Sequence, residues 1–391
     1  MSPTRMVNLD YAASTPLRPE AIDALRAYDA SRIAGANPNS LHSLGREAAA
    51  ALERARRDVA RSLGAAVRPQ EVVFTSGGTE ANVLALMGIA EAVRAQEPRR
   101  TRVVTSAIEH DSILDNLAAL RRAGFTVDVV KPGARGRIEP DDLEQQLGDD
   151  VALVSIMFAN NETGALQPVR ALAQAAHARG ARFHADAIQG YLHVPIDVDE
   201  LGIDALSLAG HKVGAPVSVG ALYLRRATPF TPQARGGGQE AGRRPGTQDV
   251  RSALALAAVA RLLAPRAEAD WNRLRELSGA LYERLATSGR IHATLGQPVP
   301  AERLGGIVSV YVDGFESEDL ILRLDQRGFC VSAGSACSSA SASASHVLTA
   351  MGLPGEAANG SLRISFDDRV DPADLDAFAD ALLDIVEGSR P

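Results

Sequence analysis

The sequence predicts an α/β protein: a large domain built on a mixed, mainly parallel sheet, followed by a smaller α+β domain. Three observations predict it. Short apolar runs alternate with stretches of helical period from residue 71 to residue 224, the rhythm of strand–helix–strand units. Residues 151–156, Val-Ala-Leu-Val-Ser-Ile, are almost continuously apolar, as in a parallel strand covered on both faces. Composition then shifts to Gly, Arg, Gln and Pro over residues 231–247, and a second set of helices and strands follows.

In order, residues 18–30 and 43–63 carry helical spacing, with Glu47, Glu53, Arg54, Arg57 and Asp58 marking the wet face of the second helix. Strands are predicted over 71–75, 102–105, 125–130, 151–156, 182–185, 203–208 and 220–224. Helices are predicted between them over 81–95, 111–122, 140–147 and 169–179. Helices 250–263 and 268–286 lead to the second unit, with strands at 306–311, 329–332 and 362–366 and helices at 317–326 and 372–387. The expected division is a large domain over 16–255 and a small one formed by 1–15 and 256–391. Residues 338–345 alternate Ser and Ala and form a low-complexity patch.

Hydrophobic residues are 46% and aromatics 4% of the 391 residues, so the core must be built from Ala, Leu, Val and Ile. A net charge of −7 and a pI near 5.7 argue against a nucleic-acid or anionic-membrane surface. No stretch approaches the ~20 apolar residues of a membrane span, and no signal peptide is evident after Met1. Two cysteines, Cys330 and Cys337, are too few for a disulfide framework. A cytoplasmic protein with reduced thiols is expected.

Of 41 basic residues only Lys131 and Lys212 are lysines. Lysine, unlike arginine, can lose its proton and react as a neutral amine with a carbonyl. Lys212 ends Gly210-His211-Lys212 after a predicted strand, so it is either an anchor for an aldehyde cofactor or a surface lysine. Ser76-Gly77-Gly78-Thr79-Glu80 joins a strand to a helix and suits a phosphate, or is a glycine turn with an N-cap. Asp186 follows a strand, where it can pair a protonated pyridine nitrogen or cap a helix. Gln189, His110 and Asn161 lie in loops after strands too. In a parallel sheet these loops share one edge, and their joint content describes a pyridoxal phosphate site. Cys337 sits in a small, polar segment, unusual for a residue that is normally buried, and reads as a nucleophile. Cys330 reads as structural. Arg363 interrupts an apolar strand; it either holds a substrate carboxylate or is an edge-strand arginine.

These residues resemble the cysteine desulfurases, a branch of the pyridoxal-phosphate enzymes of the aspartate-aminotransferase fold (fold type I, class V). The matching segments are Leu9-Asp10-Tyr11-Ala12-Ala13-Ser14-Thr15-Pro16, Phe74-Thr75-Ser76-Gly77-Gly78-Thr79-Glu80, Glu109-His110, Asn160-Asn161-Glu162-Thr163-Gly164, His184-Ala185-Asp186-Ala187-Ile188-Gln189, Gly210-His211-Lys212, Gly236-Gly237-Gly238-Gln239-Glu240 with Arg244-Pro245-Gly246-Thr247, and Gly334-Ser335-Ala336-Cys337. The Ser/Ala segment around Cys337 is similar to the subgroup with a long cysteine loop.

The resemblance implies conversion of L-cysteine to L-alanine with sulfur passed to Cys337 as a persulfide. It implies that Lys212 carries the cofactor and moves the α-proton, that Asp186 pairs the ring nitrogen, and that His110 stacks on the ring. Asn161 and Gln189 would contact the ring oxygen and the substrate region. Gly78, Thr79 and His211 would bind phosphate, with Thr247 contributed by the partner in a homodimer, and Arg363 would bind the substrate carboxylate. The implied sulfur acceptor is an iron–sulfur scaffold or a tRNA-thiolation protein, with no metal, direct nucleic-acid or membrane partner. Alternatives on the same fold are a selenocysteine lyase, an aminotransferase, or a non-catalytic sulfur-relay or scaffold subunit. The chain departs from the pattern at Ala209, where a phosphate-binding serine is usual, at residues 213–218, and at residues 341–345, which lack acidic and proline character.

Overall fold

A computed structural model describes residues 5–334 and 345–388. The strands among them are β1 (Val7–Asn8), β2 (Val72–Thr75), β3 (Arg102–Ser106), β4 (Thr126–Val130), β5 (Val151–Ser155), β6 (Arg182–Asp186), β7 (Ala205–Ala209), β8 (Gly220–Leu224), β9 (Ile291–Ala293), β10 (Ile307–Val312), β11 (Phe329–Cys330) and β12 (Ser361–Ser365). Seven of them form the central sheet, in the order β2-β8-β7-β6-β5-β3-β4. Strands β4, β3, β5, β6 and β7 are parallel, whereas β8 is antiparallel to both β7 and β2. Two reversals restore the direction, so β2 runs the same way as β7. The carboxyl ends of β2, β3, β4, β5, β6 and β7 therefore open on one edge.

Consecutive residues of a strand point to opposite faces, and here each face meets its own apolar cluster. Val73, Val103 and Leu153 pack with the helix Gly78–Gln96, through Leu86, Ile89 and Val93. Val72, Val104 and Val154 join the other cluster, with Leu172 of the helix Val169–Ala178 and Val59 of the helix Ser43–Arg61. Cover on both faces explains why β5 has no alternation: all five of its residues are buried. The α/β class with a mixed, mainly parallel sheet is the one the sequence predicts.

A third cluster surrounds the antiparallel sheet β12-β10-β9. Val308 and Val310 of β10 meet Leu320 and Leu324 of the helix Ser317–Gln326 and Phe378 and Leu382 of the helix Pro372–Gly388. Leu9 is buried in the same cluster. The N-terminal segment reaches it by parallel pairing of Val7 with Phe329 and Asn8 with Cys330, and by a bridge from Asp10 to Ser365.

Two local expectations are corrected. The single helix predicted over 111–122 is two, Asp111–Leu114 and Leu117–Arg122. Between them the Asn116 side chain donates to the Ser112 carbonyl at 3.0 Å, a local bond that competes with the helical ladder. The strand predicted over 203–208 is Ala205–Ala209, followed by a single 3-10 turn, Gly210–Lys212.

Candidate active site

The shared edge of the sheet holds a cavity of about 360 Å³. Gly78, Thr79, His110, Asn161, Asp186, Gln189, His211, Lys212 and Arg363 all line it. Sequence reasoning singled out each of these residues, and the topology brings them together. Thr247 is exposed and does not line the cavity of its own chain. Cys337 lies outside the described residues. Cys330 is half-buried in β11, where burial pushes its thiol up.

Lys212 occupies the last position of the 3-10 turn after β7. Its Nζ donates to the carbonyls of Ala12 and Ala13 at 2.7 and 3.0 Å. The carbonyl of Lys212 accepts from Thr15 Oγ1 at 2.8 Å. The turn is thus pinned by the N-terminal segment on two sides.

Asp186 ends β6 and is buried. Its Oδ1 accepts from the Ile188 amide at 2.9 Å and its Oδ2 from Asn82 Nδ2 at 2.7 Å. Burial pushes its carboxyl up; these two bonds and the nearby His110 and Lys212 oppose the rise. Such a carboxylate is stabilised by a cation brought into the cavity.

His110 caps the short helix Asp111–Leu114, with its Nδ1 accepting from the Ser112 amide at 3.0 Å. That bond fixes the ring and leaves the proton of the neutral form on Nε2. His211 is pushed down to about 4 by burial, with Lys212 and His110 adding to the shift. It is neutral at pH 7 and offers a hydrogen bond rather than a charge. Gln189 Nε2 donates to the Ala12 carbonyl at 2.9 Å.

At the other end of the cavity the helix Gly78–Gln96 begins at Gly77, with no side-chain cap on its first amides. Free amides at a helix start suit an anion. A side chain at Gly78 would bring its Cβ to 2.2 Å from Ile188 Cδ1, so glycine keeps the backbone open to the cavity. Glu80 accepts from the Ser76 amide at 2.5 Å and from Arg244 Nε at 2.9 Å, tying this helix start to the loop that carries Thr247. Ala209, at the end of β7, lines the cavity with a methyl group and supplies no donor side chain.

Four residues escaped sequence reasoning. Asn82 is a wholly buried amide in an apolar helix that bonds both Asp186 and Ser112 Oγ; a polar residue one turn after Gly78 was the available signal. Glu109 is wholly buried, accepts from the Met157 amide at 2.9 Å and from Ser106 Oγ, and leaves Oε2 without a partner among the described residues. Burial pushes its carboxyl up to about 8. Glu162 lines the cavity and accepts from Ser345 Oγ at 2.5 Å. Asp10 pairs with Arg363.

The set suits a flat, anionic group with a carbonyl for an amine, a ring nitrogen for a buried carboxylate, and a phosphate for a helix start. It also offers a buried guanidinium at Arg363 to a second, carboxylate-bearing molecule.

The class-V aminotransferase model matches residues 7–378. The chain is 41% identical to the IscS-like cysteine desulfurase of Mycobacterium tuberculosis, over 98% of this chain and 97% of that one. It is 37% identical to cysteine desulfurase IscS of Dictyoglomus turgidum, over 99% and 96%. Among solved structures it superposes on a NifS-like protein with a TM-score of 0.88 at 30% identity, covering 98% of this chain and 100% of that one. SspA, solved in complex with cysteine, matches with a TM-score of 0.79 at 30% identity, over 92% and 99%. Pyridoxal phosphate is the general cofactor of this class, and cysteine and sulfur-accepting proteins are the general partners of the desulfurase branch. Fold, cavity and relatives agree: the chain belongs to the class-V aminotransferase family and, within it, to the cysteine desulfurases.

Proposed function

We propose that this chain holds pyridoxal phosphate in the cavity and converts L-cysteine to L-alanine, with Cys337 taking the sulfur. The observation that carries the assignment is the convergence of Lys212, Asp186, the Gly78–Thr79 helix start and Arg363 on one cavity. Lys212 Nζ would hold the cofactor through its carbonyl. Asp186 would keep the ring nitrogen protonated, and its buried carboxylate would be stabilised by that positive charge. His110, fixed by Ser112, would stack on the ring. Gly78, Thr79 and neutral His211 bind the phosphate, and Asn161 and Gln189 serve the ring oxygen and the substrate region. When bound, the cofactor supplies an electron sink for the carbanion left by the α-proton.

Arg363 binds the carboxylate of cysteine, and Lys212 Nζ moves the α-proton. The Cys337 thiolate forms a bond to the substrate sulfur while the carbon–sulfur bond breaks. The carbon keeps that electron pair and gains a proton, which yields alanine. Thr247, exposed in its own chain, serves the site of a second copy in a homodimer. The persulfide passes to an iron–sulfur scaffold or a tRNA-thiolation protein. Among the described residues no helix is long and apolar enough to cross a membrane; the proposed place of work is the cytoplasm. A separate apolar cluster around the β12-β10-β9 sheet supports a second domain, which we draw as residues 1–15 with 256–391 beside a large domain of residues 16–255; Leu256, Val259 and Leu263, the far half of the helix Val250–Leu263, pack with the central sheet across that boundary.

Incubation with L-cysteine tests the assignment. Alanine is expected to appear together with an adduct of about 32 Da, one sulfur atom, on Cys337. Lys212→Ala is expected to lose the visible absorbance of the loaded protein, and Cys337→Ser to keep it while losing sulfur release. A wild-type protein that stays colourless with added pyridoxal phosphate sinks the proposal.

A further inference from the structure

Arg363 is 2% exposed, and a buried guanidinium needs partners for its donors. Its Nη1 donates to the Asn161 carbonyl at 3.0 Å and its Nη2 to Asp10 Oδ1 at 2.9 Å. Its Nε is buried with no partner among the described residues. The other oxygen of Asp10 accepts from Ser332 Oγ at 3.0 Å. Ser332 and Arg363 also exchange backbone bonds, at 2.8 and 3.2 Å. Asp10 is therefore held on one side by the strand partner of Arg363 and holds the guanidinium on the other. Glu162, the second carboxyl near Arg363, is engaged by Ser345 Oγ instead.

We propose that Asp10 is a positioning residue for substrate: its carboxylate and the Asn161 carbonyl fix the plane of the Arg363 guanidinium, so that the remaining donors face the carboxylate of the amino-acid substrate. This rests on the assignment of Arg363 to that carboxylate. Two fixed points define the orientation of a planar fork, and a long arginine side chain without them samples many rotamers. Orienting the fork in advance removes an ordering cost from binding. Asp10 also opens the turn whose next carbonyls, Ala12 and Ala13, receive Lys212 Nζ. One short turn thus orders both the guanidinium and the amine, and the two groups act on neighbouring atoms of the same substrate.

The test compares Asp10→Ala, Asp10→Asn and Arg363→Ala in the full-length protein loaded with pyridoxal phosphate. Steady-state turnover of L-cysteine is measured together with inhibition by cysteamine, which lacks the carboxylate. Asp10→Ala is expected to raise KM for cysteine about tenfold with a much smaller change in kcat. Its cysteamine inhibition constant and visible absorbance should match wild type. Asp10→Asn keeps an acceptor oxygen and should raise KM less than Asp10→Ala. If Arg363→Ala raises KM while Asp10→Ala leaves it unmoved or lowers it, the positioning role is overturned and the Arg363 assignment stands. An equal loss of cysteamine binding in Asp10→Ala also overturns it, because the defect is then a general one of the pocket. If Arg363→Ala itself leaves KM unmoved, both assignments fall.

Discussion

Asn82 donates its amide to Asp186 Oδ2 at 2.7 Å and to Ser112 Oγ at 2.8 Å, while its own buried Oδ1 has no partner among the described residues. An unpaired buried oxygen carries a cost, and the bond to Asp186 offsets it. Ser112 in turn fixes His110, so one amide reaches both groups assigned to the cofactor ring. A hydrogen bond to a charged group contributes about 1.5–3 kcal/mol. Asn82→Ala is therefore expected to weaken pyridoxal phosphate binding by about 10- to 100-fold, measured by absorbance titration. An affinity equal to wild type would show that the Ile188 amide alone holds Asp186 in place.

Gly78→Ala places a methyl group 2.2 Å from Ile188 Cδ1 and 2.8 Å from its Cγ1. Ile188 must then turn, and its loop includes the amide that bonds Asp186. The expected result is a loss of cofactor affinity of about tenfold or more, the scale of a kilocalorie or two of strain. Gly78→Ala combined with Ile188→Ala should recover part of it. No recovery in the double variant would place the loss at the phosphate end and not at Ile188.

Glu109 sets a pH dependence of stability. Its folded carboxyl, pushed up to about 8 by burial, holds a proton that the unfolded chain releases near the ordinary glutamate value of ~4.3. The folded state binds the extra proton, so this contribution is full below the unfolded value and is lost as pH rises through about 8. His184 and His211, pushed down by burial to about 3 and about 4, act the opposite way: their contribution is lost as pH falls below the ordinary histidine value. Between pH 7 and 9 Glu109 therefore dominates among these three. The cofactor-free wild type should lose about 1 kcal/mol over that interval, read from urea midpoints, and Glu109→Gln should lose little. A wild type as stable at pH 9 as at pH 7 would contradict the shift.

The buried pair Arg56–Glu240 anchors the loop before Thr247. Arg56 Nη1 meets Glu240 Oε2 at 2.5 Å, Nη2 meets Oε1 at 2.8 Å, and the Phe74 amide adds a third bond at 2.9 Å. Removing one partner of a buried pair costs about 3–5 kcal/mol because the other charge stays behind. Arg56→Met should lower stability on that scale, and Arg56→Met with Glu240→Gln should lose less. Equal losses in the single and double variants would assign the cost to Arg56 packing on Phe74, whose ring centroid lies 4.9 Å away.

Much of this molecule is legible in the sequence, for identifiable reasons. The helix Val250–Leu263 has the predicted ends because Asp249 caps it locally, through the Ser252 amide at 3.0 Å. The site loops could be grouped because residues after parallel strands share an edge whatever the details of packing. Asn82, Glu109 and Asp10 were not assigned roles, because each acts through a partner far away in sequence: Asp186, Met157 and Arg363. A polar residue in a helix, a carboxyl in a loop and an acid near the N-terminus look ordinary until the partner is known. The direction of β8 was equally hidden, since an apolar five-residue run reads the same in either orientation.

That orientation has a consequence for the site. Six strands give their carboxyl ends to the ligand edge, with the loops that follow. The inverted β8 gives only its first residue, Gly220, and its trailing loop departs from the opposite side of the sheet. At Gly220 a Cβ would lie 2.6 Å from the Leu208 carbonyl oxygen and 2.8 Å from the Gly77 carbonyl carbon. The chain thus enters the edge between the amine-bearing and anion-binding loops without adding bulk there. One backward strand acts as a spacer, holding those two loops two strand-widths apart, or roughly 9–10 Å.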